Sequence, residues 1–306
     1  DIMKRIFFFI VTNIAILLVL SIFLHLIGFT GILQRNGVDL DYDSLMLFSL
    51  VFGMGGSFIS LYMSKWMAKS MAGVQVIKKP SNEFEKWYVD VVNKQANQLG
   101  LRNPEIGIFN SPQPNAFATG SSRNNSLIAL STGLISSMKR DEVEAVIGHE
   151  MSHVANGDMV TLSLIQGIIN AFVIFFSRVI GHFVDRVILK NERGYGIGYF
   201  FTVIFAQVIL GILASTIVCW FSRRREFRAD FGGAQLTSKE SMINSLRVLQ
   251  KMSAAKLPDQ MLAFGISNGG RESTFRKLFS THPPISDRIS ALEQANIPQH
   301  VKHQTN

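Results

Sequence analysis

The chain of 306 residues contains a single cysteine, Cys219, and that residue lies within an apolar run. A disulfide framework is therefore excluded, and so is a zinc ribbon built from cysteine ligands. Proteins without disulfides are typical of reducing compartments, so we expect the working domain to face the cytoplasm.

Charged residues are also scarce. They make up 17% of the sequence, against roughly 25% in typical soluble proteins, while apolar residues make up 47%. The net charge is +8, but the basic residues lie mostly beside apolar runs and form no motif that binds DNA or RNA. Internal repeats and low-complexity segments are lacking as well. These features predict a membrane protein without a nucleic-acid partner, in which the positive charge sets the topology.

Four uncharged runs are long enough to form membrane helices, at residues 6–29, 44–64, 159–177 and 197–221. Acidic residues lie between the first two runs and lysines lie on their outer flanks, which predicts an external loop and an internal remainder. A cleaved signal peptide is the alternative for the first run, but that run is too long and lacks a small-residue cleavage site. The third run contains Gln166 and Asn170, so a buried hairpin lining a cavity is the alternative to a full crossing there.

The segment 146–154 carries the clearest chemical pattern. His149 and His153 are four residues apart, so on a helix their imidazoles lie on one face, one turn apart. Glu150 follows the first histidine. This H-E-x-x-H pattern is typical of metalloproteases, in which zinc binds both histidines and the glutamate accepts a proton from water. Two core histidines bonded to backbone carbonyls are the alternative, but they would not account for the glutamate.

A third ligand is predicted after the fourth apolar run, where Glu226 and Asp230 lie one helical turn apart. Such a pair supplies one zinc ligand and one carboxylate that accepts the outer N–H of a ligating histidine. Alone, the pair is more typical of a solvated helix face, and its neighbouring arginines of a cytoplasmic anchor. Together with His149 and His153 it predicts a zinc site with one open coordination position, as in catalytic sites.

The remaining segments predict soluble structure. Ser81 and Asn82 can cap a helix that ends near Gly100, and strands are predicted at residues 105–110, 115–119 and 126–131. The sequence thus predicts an α+β membrane protein, with transmembrane helices and a mostly helical, zincin-like catalytic domain containing a small β-sheet. The predicted parts are two transmembrane helices (1–64), the first part of the catalytic domain (65–158), a membrane hairpin (159–221) and the second part of the catalytic domain (222–306).

The order of these motifs resembles the HtpX-type family of bacterial inner-membrane zinc metalloproteases, relatives of the CAAX prenyl proteases. The resemblance covers nearly the whole chain and rests on segments 115–120 (NAFATG), 149–153 (HEMSH), 225–230 (REFRAD) and 281–284 (THPP). It implies one zinc ion per chain, held by His149, His153 and Glu226, with Glu150 as the catalytic base. The implied activity is endopeptidase cleavage of damaged or misassembled membrane proteins, in the inner membrane and with the catalytic domain in the cytoplasm.

Further predictions concern the substrate, a membrane protein or an unfolded polypeptide. An edge strand that pairs with the extended substrate backbone is predicted at Asn115, Ala116, Phe117 and Ala118. His282 or Arg288 is predicted to stabilise the oxyanion formed in amide hydrolysis. The cleavage-site preference and the oligomeric state are left open.

Two other classes of function remain as alternatives. A non-catalytic protein that binds or senses client proteins would use zinc structurally, but a structural site is usually closed by a fourth ligand and gains nothing from Glu150. A transporter would account for the apolar runs and for Gln166 and Asn170. It would leave the long soluble segments unexplained.

Overall fold

The computed structural model describes residues 42–192, 194–254 and 282–297. Its contacts divide the chain into two compact units. The first comprises the residues up to Ser60 together with Leu162–Val218, and the second comprises Leu61–Thr161 together with the residues from Cys219 onward. The predicted domain boundaries lie a few residues from these divisions and stay predictions. The first predicted crossing, residues 6–29, lies outside the described residues.

Eight α-helices and four strands are described. In chain order they are α1 (Tyr42–Met71), β1 (Gln75–Val76), α2 (Glu83–Gln98), β2 (Glu105–Phe109), β3 (Ala116–Ser122), β4 (Asn125–Ser131), α3 (Thr132–Ser137), α4 (Arg140–Asn156), α5 (Asp158–Phe183), α6 (Ile197–Leu236), α7 (Lys239–Ala254) and α8 (Ile285–Gln294). A π-helical turn, Val184–Ile188, continues α5.

Helices α1, α5 and α6 are long and apolar enough to cross a membrane. They contain the last three predicted runs, and they expose large apolar side chains such as Phe58, Phe172 and Phe205. Helix α6 continues well beyond its apolar run. Its 40 residues correspond to about 60 Å of helix, roughly twice the thickness of a hydrocarbon core. The charged residues that follow Phe221 therefore extend past the apolar part of the same helix.

Small residues bring α1 and α5 together in the first unit. Gly53 lies directly against the backbone of Ala171, where a Cβ would overlap, and Gly167 of α5 faces α1 in a similar way. Small residues at such positions allow two membrane helices to approach closely. The Gln166 amide donates a hydrogen bond to Asn170 Oδ1 (2.8 Å). These two polar side chains of α5 therefore satisfy part of each other's hydrogen-bonding need.

The second unit contains a mixed four-stranded sheet with the order β1-β2-β4-β3. Strands β2 and β4 are parallel, with Gly107 opposite Ala129, whereas β3 and β4 form an antiparallel hairpin with Phe117 opposite Ala129. The three predicted strands are present, and β3 continues to Ser122. Strand β1 is absent from the prediction because two residues are too few to show an alternating pattern.

The main core of this unit lies between the sheet and helices α2 and α4. Tyr88, Ile128, Ile147 and Met151 are fully buried in it, and each apolar side chain of this size contributes about 1.5–3 kcal/mol when buried. Val143, Ile147, Met151 and Val154 recur at helical spacing along α4, and all four lie in this core. Helix α2 begins as predicted, with the Asn82 side chain accepting a hydrogen bond from the backbone of Glu85 (2.8 Å).

A smaller core joins helices α7 and α8. Met242, Leu246 and Leu292 are almost fully buried there. Ala145 of α4 belongs to the same cluster. Helix α4 is therefore enclosed by apolar contacts from the sheet side and from the C-terminal helices, which gives its remaining side chains a rigid support.

Candidate metal centre

His149 and His153 lie one turn apart on α4. Their Nε2 atoms are 3.2 Å apart, and the ring planes are nearly perpendicular, at 88°. The helix that carries them begins with the Glu142 carboxylate accepting a hydrogen bond from the backbone of Lys139 (2.8 Å). It ends at Gly157, whose φ of 67° is readily adopted by glycine. Both histidines are thus placed by a helix with defined ends and a buried apolar face.

The third member of the cluster, Glu226, belongs to α6. Its Oε1 lies 3.3 Å from His153 Nε2, and its Oε2 lies 3.6 Å from His149 Nε2. One ligand atom from each of these three residues lies within 4.8 Å of the other two. Two imidazoles and one carboxylate at such separations are ligands suited to zinc. Folding therefore brings Glu226, which is 73 residues after His153, to the two histidines.

Glycines let α6 come close to α4. A Cβ at Gly233 would lie 2.9 Å from the backbone nitrogen of His149, and a Cβ at Gly148 would lie 3.1 Å from Gly233 Cα. These distances are too short for an ordinary side chain. A larger residue at Gly233 would hold the two helices apart and move Glu226 away from the histidines.

A carboxylate lies at the outer nitrogen of each histidine. His149 Nδ1 is 2.9 Å from Asp230 Oδ1, and His153 Nδ1 is 2.7 Å from Asp158 Oδ2. Because a carboxylate accepts hydrogen bonds, each ring in its neutral form carries its proton on Nδ1, which leaves the Nε2 lone pair for a metal ion. This is the tautomer that a metal ion requires, so the donor set fits a metal ion.

Arg288 and His282 also lie at this cluster. The Arg288 guanidinium donates two hydrogen bonds to Asp230, from Nε to Oδ2 (2.8 Å) and from Nη2 to Oδ1 (2.6 Å). Arg288 is buried. Its two hydrogen bonds fix the carboxylate of Asp230, which in turn contacts His149. His282 Nδ1 lies 2.7 Å from Glu226 Oε2, and the His282 side chain is 60% exposed. Their action on an oxyanion stays a prediction.

The carboxylates favour positive charge within the cluster. Burial lowers the pKa of His149, but the hydrogen bonds and charges of Asp230 and Glu226 raise it to about 10. Burial likewise lowers the pKa of Arg288, but its contact with Asp230 raises that pKa above the usual value. The negative groups therefore stabilise a cation between them, and a divalent metal ion supplies such a charge.

The other predicted site residues lie on or beside α4. Glu150 follows His149 on the helix and is partly buried. Strand β3 packs against α4 with Ala116 and Ala118 toward the main core, while the Phe117 ring lies 5.4 Å from that of Phe109 in a separate apolar cluster. Asn115 directly precedes the strand. The predicted substrate strand is thus a sheet edge beside the histidine helix, and its binding role stays a prediction.

Asp158 also belongs to this hydrogen-bonded cluster, although its sequence position did not predict a role there. It lies five residues after His153, at the first position of α5, and it is 2% exposed. An acidic residue directly after a helix-ending glycine is the only sequence signal. Acidic residues are favoured at the start of any helix, so the signal does not distinguish Asp158 from an ordinary helix start.

Comparison with known proteins agrees with this geometry. The model of peptidase family M48 matches residues 83–296, a stretch that includes the whole cluster. The chain belongs to peptidase family M48. The members of this family are zinc metallopeptidases, which is in accord with the donor set formed by His149, His153 and Glu226.

The relatives within the family are similar over their full length. The chain is 56% identical over 292 residues to "Protease HtpX" of Thioalkalivibrio sulfidiphilus, covering 95% of this chain and 99% of that protein. It is 56% identical over 294 residues to "Protease HtpX homolog" of Nitrosomonas europaea, covering 96% and 100%. The chain is therefore a metalloprotease, and with its long apolar helices it is a bacterial membrane protein.

A solved structure shows the same fold. The crystal structure of S. mikatae Ste24p aligns with a TM-score of 0.61 at 16% identity and covers 81% of this chain. This chain spans 58% of the length of that protein. At such low identity the likeness concerns the fold alone, and it confirms the predicted combination of membrane helices with a mostly helical catalytic domain and a small sheet.

Proposed function

We propose that this family M48 chain is a zinc-dependent endopeptidase of the bacterial inner membrane that cleaves misfolded or damaged membrane proteins. The observation that carries the proposal is the convergence of His149 Nε2, His153 Nε2 and the Glu226 carboxylate, with each outer histidine nitrogen held by its own carboxylate. One zinc ion per chain would be held by these three residues. Three protein ligands are typical of catalytic zinc sites, whereas structural sites usually have four.

Each residue has a separate task in peptide hydrolysis. A zinc ion held by these residues would act as a Lewis acid toward the scissile carbonyl and would make water more acidic. Glu150 takes a proton from the attacking water and returns one to the leaving amine. Asp230 keeps the His149 ring in the required orientation. His282, exposed beside Glu226, is the better placed of the two predicted oxyanion partners, because Arg288 is committed to Asp230.

The position of β3 at the edge of the sheet supports the proposal that an extended substrate pairs with this strand. The backbone of Ser131 donates to the Asn115 carbonyl (2.9 Å), so the alternation of an antiparallel ladder points the N–H and C=O groups of Ala116 and Ala118 away from β4. In the described sheet these groups lie at the edge, where a substrate strand could pair with them, and main-chain pairing of this kind accepts many sequences. This suits a protease whose clients share an unfolded state rather than a sequence.

The orientation in the membrane is inferred from charge. Lys65, Lys69, Lys78 and Lys79 lie at the end of α1 or soon after it, and positive residues favour the cytoplasmic side. We therefore place the second unit, with its metal centre, in the cytoplasm.

The test of the proposed activity is to change Glu150→Gln in the full chain in detergent. The amide keeps the shape but not the basicity, so the variant should keep zinc and still bind an unfolded membrane-protein substrate. Cleavage should fall by at least about 10²- to 10⁴-fold, the usual contribution of general acid–base catalysis. Undiminished cleavage by this variant, or no cleavage by the unmodified zinc-loaded chain, would refute the mechanism.

A pair of proline variants tests the substrate strand. Ala118→Pro removes an N–H that points away from β4, so it should raise KM or abolish cleavage while zinc stays bound. Phe117→Pro is the matched comparison, since it removes a ladder bond to β4 and should destabilise the fold itself. Native KM and kcat in Ala118→Pro would show that substrate does not pair there.

A further inference from the structure

The outer nitrogen of His149 contacts Asp230, which lies one turn after Glu226 on α6. The outer nitrogen of His153 contacts Asp158, which lies on a different helix. We propose that Asp158 is a positioning residue of the metal centre, which orients His153 and strengthens its bond to zinc as Asp230 does for His149. The inference rests on the proposed zinc function. It adds a residue that lies at the start of a different helix.

The contact between Asp158 and His153 is short and shielded from water. Asp158 Oδ2 lies 2.7 Å from His153 Nδ1, and the Asp158 side chain is 3% exposed. A buried carboxylate costs free energy unless it is paired. The burial of Asp158 is therefore explained by its partners. The nearest of these is Nδ1 of His153, the outer nitrogen of a predicted zinc ligand.

Arginines of α6 hold Asp158 in place. Arg225 Nη1 donates to the backbone oxygen of Asp158 (3.3 Å) and its Nη2 donates to Ser222 Oγ (3.2 Å). Arg228 Nη2 lies 3.9 Å from Asp158 Oδ1. The arrangement parallels that of Asp230, which is held by Arg288. Each histidine is thus backed by a carboxylate. Arg288 bonds the carboxylate of Asp230 directly, whereas Arg225 bonds the backbone of Asp158 and Arg228 lies at ion-pair distance from its carboxylate.

A helix-start role is the competing explanation for Asp158. Negative charge in the first turn of α5 would be favoured by the helix dipole by about 0.3–1 kcal/mol. Such a residue needs no particular partner and is usually solvated, whereas Asp158 is buried against His153. The two explanations make different predictions for asparagine, which is also accepted at helix starts but provides a neutral and weaker acceptor for the histidine N–H.

The experiment measures zinc affinity by chelator competition in the full chain in detergent. Asp158→Ala should weaken zinc binding by about 10- to 100-fold, the usual cost of losing a partner of a ligating histidine. The zinc affinity of Asp158→Asn should lie between those of Asp158→Ala and the unmodified chain. The thermal unfolding of the metal-free protein should be unchanged in Asp158→Asn. Asp90→Asn, the same change at an exposed position of α2, should leave the affinity unaltered.

Cobalt provides a second readout that a helix-start role would not change. The visible absorption of Co²⁺ bound in place of zinc reports the ligand field, so it should shift in Asp158→Asn and stay constant in Asp90→Asn. Native zinc affinity and an unaltered cobalt spectrum in Asp158→Asn would overturn the inference while leaving the proposed function intact. Failure of the unmodified chain to bind either metal would overturn both.

Substitutions of the neighbouring residues Arg225 and Arg224 test whether Arg225 helps to hold Asp158 in place. Arg225→Ala should weaken zinc binding, though less than Asp158→Ala, because the carboxylate itself remains. Arg224→Ala is the control, since Arg224 is exposed and lies over the Trp220 ring at 4.5 Å. Equal zinc affinities of the two variants would show that Arg225 does not support Asp158.

Discussion

Helices α4 and α6 both supply ligands to the metal centre, but they are built in different ways. Helix α4 has 17 residues, and most of them are buried between the sheet and the C-terminal helices. Helix α6 has 40 residues, and most of its apolar part exposes large side chains, while Glu226 and Asp230 near its end are buried.

The difference shows two ways of placing a ligand. On α4 the spacing of His149 and His153 already determines that they share a face, and the core only has to hold the helix still. On α6 the position of Glu226 depends on the close helix contact at Gly233. It also depends on the path of the long apolar segment 159–221, which separates Glu226 from His153 along the chain. The first arrangement is local, whereas the second depends on tertiary packing.

The largest expected effect comes from removing one ligand from either helix. His149→Ala and Glu226→Ala should both lose bound zinc, and with it all cleavage, because each removes one of three ligands. Metal analysis of the purified variants measures this, with Glu240→Ala at an exposed position of α7 as the control. Full zinc occupancy with native affinity in Glu226→Ala would exclude α6 from the ligand set.

The same change in the two helices should have very different effects on stability. Ile147 of α4 is 0% exposed and Ile204 of α6 is 60% exposed. Ile147→Ala should cost about 2–5 kcal/mol of unfolding free energy because it leaves a cavity. Ile204→Ala should change it by about 0.5 kcal/mol or less. Equal losses in denaturant unfolding would contradict the exposed position of Ile204 on α6.

A glycine pair on α6 tests the contact between the helices. Gly233→Ala places a Cβ 2.9 Å from His149 N, so it should cost about 1–3 kcal/mol of stability and weaken zinc binding. At Gly211 a Cβ would meet nothing within 4 Å among the described residues, so Gly211→Ala should be neutral or slightly stabilising. Thermal unfolding and zinc titration distinguish them. A Gly233→Ala variant with native zinc affinity would show that α6 tolerates displacement from α4.

The smallest expected effect comes from Asp230→Asn, which keeps a hydrogen-bond acceptor for His149 but removes the charge that Arg288 contacts. Zinc affinity should fall by about 10-fold, near the lower end for such partners. Chelator competition measures the loss, and Asp287→Asn, an exposed change on α8, serves as the control. A loss as complete as in Glu226→Ala would mean that Asp230 itself binds the metal.

Much of the fold follows from local patterns. Hydropathy indicated the apolar helices, and alternation indicated the three longer strands, because burial repeats with the period of each element. The two residues of β1 were too few for such a pattern. The full lengths of α5 and α6 were also not predicted, since a hydropathy run ends where charge begins even when the helix continues.

The sequence by itself determined the chemistry of α4: two histidines on one face, a glutamate next to the first, and an apolar stripe for the core. The sequence also pointed to Glu226 and Asp230. Only the tertiary structure showed that they reach the histidines, that Asp158 joins them, and that Arg288 bonds Asp230. In the sequence Asp158 resembles an ordinary helix start and Arg288 is only a candidate oxyanion partner, whereas folding buries both beside the histidines. Contacts between residues that are distant along the chain depend on how closely the helices pack, as at Gly148 and Gly233, and no local periodicity encodes that distance.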